Sequence, residues 1–246
     1  MVTGPKSGLG RYLSQSLGAE LTLVSGEHLE LGKSQLAETV LVHAGFRRIA
    51  PNAPPSVTDL YNNVLNTMEL AQAGFRRIIY LSTIDVYPLV ERVIDEGYPI
   101  TNSELRSVYA YQKKICETLV LESTENSLVL RLPMLVGHGS KPNTITKIIA
   151  GEDLSLSKSS SINVITYEHV SNFIKEAEKK EVTGIFNLVA SKNASIEDVV
   201  NAVESESKYG TFNYETPLLD NDKARSLLPA LKTSTIENLS AWRKSL

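Results

Sequence analysis

The sequence predicts an α/β protein built on a doubly wound, mainly parallel sheet, and three observations carry that prediction. Short apolar runs alternate with helical periods along most of the 246 residues, as expected when strands feed crossover helices. A glycine-rich turn, Gly4-Pro-Lys-Ser-Gly-Leu-Gly10, stands between a brief apolar lead and a helical pattern. An apolar run, Arg77-Ile-Ile-Tyr-Leu-Ser-Thr83, ends in hydroxyl residues, and in such sheets ligands are met at the carboxyl ends of the strands.

Taken in order, the first strand is reduced to Met1, Val2 and Thr3, against about five residues in a usual buried strand. Glycines at a strand-to-helix turn let the backbone approach a pyrophosphate, which then rests on the free amides of the helix N-terminus. Gly4, Gly8 and Gly10 fit that use, and Ser7 and Leu9 share their loop. A helix is expected from Leu9 to about Leu17, then a second strand, Leu21-Thr-Leu-Val-Ser25. An acid at that strand's end would bind the adenosine ribose of NAD. Here the strand ends at Ser25 and Gly26, with Glu27 the nearest acid, whereas Lys6, Arg11 or Lys33 could meet the extra phosphate of NADP. The balance leans to NADP, with Ser25 placed at the site.

A third strand, Thr39-Val-Leu-Val-His-Ala-Gly45, brings Ala44 and Gly45 to the same end of the sheet. His43, alone on a buried strand, reads as a hydrogen-bonded core residue. Pro51, Pro54 and Pro55 mark a loop, and Leu60 to Ala71 follows as an amphipathic helix containing Asn63. After the strand ending at Thr83, a loop from Pro88 to Ser107 is expected to cover part of the site, its acids Glu91, Asp95, Glu96 and Glu104 solvated. The next helix runs from Tyr109 to about Leu121, and Leu128 to Met134 is another central strand. Beyond Gly139 the chain turns to a smaller lobe, with a helix at Ile145–Ala150, a strand-to-helix passage from Ile162 to Val170 with His169 near the helix start, a returning core strand from Gly184 to Ala190, a helix opened by Ser195, and a polar helical tail from Asp222 to Leu246. One domain, 1–246, is expected: 1–139 mainly cofactor-binding core and 140–246 mainly substrate lobe with the returning strand.

Tyr109 and Lys113 lie four residues apart in the predicted helix, so both fall on one face. A phenol titrates near ~10 in water and serves near neutrality only beside a cation that stabilises the phenolate. Lys113 is placed to be that cation.

Composition narrows the options. With 42% hydrophobic and 22% charged residues, the chain can bury a sizeable core without disulfide or metal. A net charge of −3 and the lack of a basic run with interleaved aromatics make nucleic acid an unpromising partner. The single cysteine, Cys116, reads as a packed thiol. No run of about 18 apolar residues points to a membrane span, and a cytoplasmic location is the default expectation.

The Thr3-Gly-Pro-Lys-Ser-Gly-Leu-Gly loop, the hydroxyl-ended strand and the Tyr109-Ala-Tyr-Gln-Lys113 helix, in that order, resemble the short-chain dehydrogenase/reductase superfamily. Leu81-Ser-Thr-Ile-Asp-Val-Tyr and Leu130-Arg-Leu-Pro-Met-Leu-Val-Gly-His-Gly are similar to two strand ends of its extended branch, which holds NAD-dependent epimerases, dehydratases and nucleotide-sugar ketoreductases. The resemblance implies a Rossmann-like topology and a homodimer packed through the helices at Leu60–Ala73 and Tyr109–Leu121. It also implies catalytic roles for Thr83, Tyr109 and Lys113, with Ser82 assisting. Ala44 and Gly45 become cofactor neighbours, Asn63 joins the cofactor-binding set by helping to hold the active-site backbone, and Glu30 becomes an acid near adenine. The position of Met134 is commonly an Asn that contacts substrate, a contact Met cannot make. The function it implies is reduction of a carbonyl, foremost a 4-keto nucleotide sugar. An epimerase with tightly held NAD and a non-catalytic dinucleotide-binding sensor remain the alternatives.

Overall fold

The structure, a computed structural model, describes residues 1–6, 8–23, 30–47, 49 and 54–245. Its first half alternates strands and helices: β1 Val2–Thr3, α1 Gly8–Ser16, β2 Thr22–Leu23, α2 Lys33–Leu36, β3 Val40–His43, a long helix divided into α3 Val57–Leu60, a π turn Tyr61–Leu65 and α4 Asn66–Gln72, then β4 Arg77–Thr83, α5 Val108–Ser123 and β5 Ser127–Leu132. There follow β6 Met134–Val136, α6 Thr144–Ile149, β7 Ser161–Ile162, β8 Val164–Thr166, α7 Tyr167–Lys179, β9 Gly184–Asn187, β10 Ala194–Ser195, α8 Ile196–Ala202, α9 Asp222–Leu227 and α10 Thr235–Arg243.

Six strands form one parallel sheet in the order β2-β1-β3-β4-β5-β9. The doubly wound, Rossmann-like expectation is met. The chain reverses direction across the sheet between β1 and β3, so a crevice opens beyond their carboxyl ends. The stub β1 works as an interior strand because its neighbours extend it: Val2 N–H donates to Leu21 O at 3.0 Å, Gly4 N–H to Leu23 O at 3.0 Å, and Val42 N–H to Met1 O at 2.9 Å.

Strand alternation sends side chains to two cores. From β4 and β5, Ile79, Leu81, Leu128 and Leu130 meet Leu13, Val170 and Phe173 on one face, while Ile78, Tyr80 and Val129 meet Leu70, Cys116 and Val120 on the other. Each such buried aliphatic contributes about 1.5–3 kcal/mol, so β4 and β5 are packed on both faces. A separate apolar cluster, including Val136, Ile145, Val164, Val199 and Leu239, lies beneath the β6–β8 and β7–β10 pairs. Among the described residues no helix is long and apolar enough to cross a membrane.

Two expectations need correction. The tail is not simply polar: Ala224, Leu227, Leu228 and Leu231 recur at helical spacing and pack on the main core, while Ile236, Leu239 and Trp242 pack on the second cluster. The acids of the 88–107 loop are not all solvated, since Glu96 Oε1 accepts the Asn187 N–H at 2.7 Å and Glu104 accepts from Thr101 N–H at 2.7 Å and Tyr98 O–H at 2.6 Å. Met134 sits in β6 opposite Val164 and packs against the second cluster rather than lining the cavity described below.

Candidate active site

The glycine loop closes against the end of β3. Gly4 has φ +68°, which favours glycine, and a Cβ built there would lie 2.9 Å from Gly45 Cα. A Cβ on Gly8, which opens α1, would lie 2.7 Å from Gly139 O and from the Tyr167 hydroxyl. Both glycines thus serve close contact within the protein, Gly4 against Gly45 and Gly8 against Gly139 and Tyr167. Thr3, Gly4, Pro5, Lys6, Ala44, Gly45, Phe46, Arg47 and Lys141 line a cavity of about 420 Å³. Leu9 lines the adjoining cavity, and Gly10 is buried in the first turn of α1. Ser7, Ser25, Glu27 and His28 lie outside the described residues. Arg11 and Lys33 do not line the cavity, nor does the exposed Glu30.

A directed chain of hydrogen bonds fixes this loop. Gly45 N–H donates to Thr3 Oγ1 at 2.8 Å, and Thr3 Oγ1 lies 2.7 Å from His43 Nδ1. His43 Nε2 lies 3.0 Å from Thr67 Oγ1, whose hydroxyl donates to Asn63 O at 2.5 Å. Since Thr3 and Thr67 each spend their proton in one direction, the imidazole is neutral with its hydrogen on Nε2. Burial, aided by nearby Lys113, pushes the His43 pKa down to about 3, so His43 is the core histidine expected. Asn63 completes the latch: its Oδ1 accepts Arg47 N–H at 2.7 Å, and its Nδ2 donates to Arg47 O at 3.1 Å and Gln112 Oε1 at 2.9 Å. It lies in the π turn, a distortion frequent at functional sites. Asn63 therefore ties the loop after β3 to α5, and it does not line either cavity.

The second cavity, about 730 Å³, is lined by Ser82, Thr83, Tyr109 and Lys113 and shares Ala44 and Phe46 with the first. Ser107 caps α5 by accepting Ala110 N–H at 3.1 Å, which fixes where Tyr109 leaves the helix. Phe46 shows that Tyr109 and Lys113 share a face: its ring meets Tyr109 edge-on at 5.6 Å, and the Lys113 ammonium lies 4.0 Å from its centroid. Lys113 Nζ donates to Leu81 O at 2.7 Å. Burial lowers its pKa to about 8, with Cys116 and Glu117 opposing the shift, so it remains mostly cationic at neutrality. Thr83 Oγ1 accepts Asp85 N–H at 3.2 Å, which leaves the hydroxyl proton free to point at a ligand.

Ser82 is used differently. Its hydroxyl donates to Glu117 Oε1 at 2.6 Å, and Glu117 takes a bidentate pair from Arg131, Nε at 3.0 Å and Nη2 at 2.7 Å. Arg131 Nη1 in turn donates to the Tyr87 hydroxyl at 2.6 Å, which donates to Asn187 Oδ1 at 2.8 Å. This buried network pins β4, α5, β5 and β9 beneath the candidate residues. Sequence reasoning missed it, and missed Arg47, Lys141 and the Phe212–Glu215 wall, although the Glu117 position four residues beyond Lys113 on the same face was available as a signal.

The sequence profile of the NAD dependent epimerase/dehydratase family matches residues 29–159. No curated protein sequence matches the chain. Among solved structures, dTDP-4-dehydrorhamnose reductase from Bacillus anthracis in complex with NADP superposes with a TM-score of 0.82 at 15% identity, covering 100% of this chain and 98% of that one. MoeE5 in complex with UDP-glucuronic acid and NAD gives 0.76 at 18%, covering 100% and 99%. UDP-glucuronic acid 4-epimerase from Bacillus cereus, with UDP-glucuronic acid and NAD, gives 0.72 at 18%, covering 99% and 98%. With its profile matched over more than half its length and the hydroxyl strand end, tyrosine and lysine gathered on one cavity, the chain belongs to the NAD dependent epimerase/dehydratase family, in the extended branch of the short-chain dehydrogenases/reductases.

Proposed function

We propose that the protein reduces a 4-keto nucleotide sugar with an exchangeable nicotinamide dinucleotide, NADP in preference to NAD. The observation that carries this reading is the meeting of the two cavities at Ala44 and Phe46, one floored by the glycine loop and the other walled by Thr83, Tyr109 and Lys113. Gly4, Gly8, Gly10 and their loop neighbours Ser7 and Leu9 would hold the dinucleotide with Ser25, Ala44 and Gly45, and Asn63 would act by holding the loop. When bound, the dinucleotide supplies hydride. Thr83 hydrogen-bonds the substrate oxygen, Tyr109 gives it a proton, and Lys113 stabilises the resulting phenolate and holds the ribose.

The lean to NADP rests on the first cavity, where the described lining includes Lys6, Arg47 and Lys141 and no carboxylate. Cations without a competing acid favour an added phosphate. Arg47 also pairs with Asp59 at 3.0 Å, so Lys6 and Lys141 are the readier partners. The relatives' nucleotide-sugar ligands suggest the substrate class. Protein purified without bound nicotinamide is expected to bind NADPH more tightly than NADH and to consume it stoichiometrically on addition of a 4-keto sugar nucleotide. Co-purified NAD, with sugar interconversion at constant absorbance, would instead identify an epimerase.

The homodimer belongs to the same proposal. Val57, Leu60, Tyr61, Leu65 and Tyr111 are exposed apolar residues on α3, the π turn and α5, and Val57, Leu60 and Tyr111 line a groove of about 570 Å³ between α3 and the start of α5. Such a patch marks an association surface. Light scattering at micromolar concentration is expected to report twice the chain mass, and a monomer would reject this interface.

A further inference from the structure

We propose that Asp85 makes the substrate cavity select against a carboxylate on the reacting sugar, so that the substrate is a neutral, hydroxyl-bearing sugar nucleotide and not a uronic acid. This rests on the sugar-nucleotide reading above.

The charged residues lining the second cavity are Asp85, Glu215, Arg106 and Lys113. Lys113 is committed to Leu81 O and the Phe46 ring, on the side shared with the dinucleotide cavity. Arg106 faces Asp85, Nη2 to Oδ1 at 3.8 Å, and donates to Glu215 O at 3.3 Å. It is the remaining lining cation among the described residues, and a nucleotide sugar already brings a diphosphate to meet it. Among the described residues no lining cation is left for a carboxylate on the ring.

The position of Asp85 is fixed from two sides. Its N–H is held by Thr83 Oγ1 at 3.2 Å, within one turn of the hydroxyl that would hold the substrate oxygen. Its Oδ1 accepts the Tyr214 hydroxyl at 2.7 Å. Tyr214 is itself sutured to the lobe, its N–H donating to Ser160 Oγ at 3.0 Å and its carbonyl accepting from Ser161 N–H at 2.8 Å. A carboxylate held this firmly accepts hydrogen bonds from sugar hydroxyls and repels another carboxylate.

The test uses UDP-glucose and UDP-glucuronic acid, which differ only at C6, titrated into the full-length protein with saturating NADP. The wild type is expected to bind UDP-glucose at least about tenfold more tightly. Asp85→Asn is expected to erase that preference, because it removes the repulsion and releases Arg106. Tyr214→Phe, which loosens the same carboxylate without changing charge, is expected to keep it. Equal or tighter wild-type binding of UDP-glucuronic acid, or an unchanged ratio in Asp85→Asn, overturns the assignment. Failure of UDP-glucose, dTDP-glucose and UDP-glucuronic acid alike to bind overturns the sugar-nucleotide reading and this assignment with it.

Discussion

Replacing Tyr109 with Phe is expected to lower turnover by about 10²–10⁴-fold, the range for a lost general acid, while leaving dinucleotide affinity within a small factor of wild type. The change removes one hydroxyl, and the Phe46 edge contact needs only the ring. Lys113→Ala should behave differently, losing both rate and affinity, because the lysine has two proposed partners. Single-turnover kinetics separate the cases, and a Phe variant with wild-type turnover would remove Tyr109 from the mechanism. The pH profile adds a check: with burial holding Lys113 near 8, the cation is lost as pH rises through that value, so activity that depends on it should fall on the alkaline side.

The largest effect on stability is expected at Glu117. It is fully buried, accepts from Ser82, and is held bidentately by an Arg131 that is 1% exposed. Removing one partner strands the other charge away from water, a loss of about 3–5 kcal/mol. Glu117→Ala should therefore lower the denaturant midpoint with little change in slope. Because two charges pay a desolvation cost that their attraction only partly offsets, the double replacement Glu117→Leu, Arg131→Met should recover much of the loss. A single variant as stable as wild type would show that the pair carries no such weight.

The parts of the site legible in the sequence are those that local spacing defines. Tyr109 and Lys113 share a face because a helix has a fixed period, and Thr83 could be placed because an apolar run stops there. The sheet was legible for the same reason, strand by strand. Arg131 meets Glu117, and Tyr214 meets Asp85 across 129 residues, only because the fold brings them together, and no period records such a meeting. The tail misled in another way. Its apolar residues are diluted by charged neighbours, so average polarity concealed the stripe through Ala224, Leu227 and Leu231. At Asn63 the identity of the residue was legible, but the latch it forms depends on a backbone distortion that the helical pattern does not announce.

That distortion has a consequence for how chain length relates to function in this protein. A π turn accommodates one more residue than the α period needs over the same stretch, and the extra residue is absorbed locally: Thr67, Leu70 and Ala71 beyond it remain buried. The helix could be one residue shorter between Tyr61 and Leu65 with its flanking turns still seated on the sheet. What the surplus residue provides is an Asn63 side chain presented to Arg47 on one side and Gln112 on the other, with a main-chain oxygen turned to receive Thr67 and Cys116. Folding and loop placement are thus separable in this helix, and a related chain that has dropped the residue would keep its core while the loop after β3 hung free of α5.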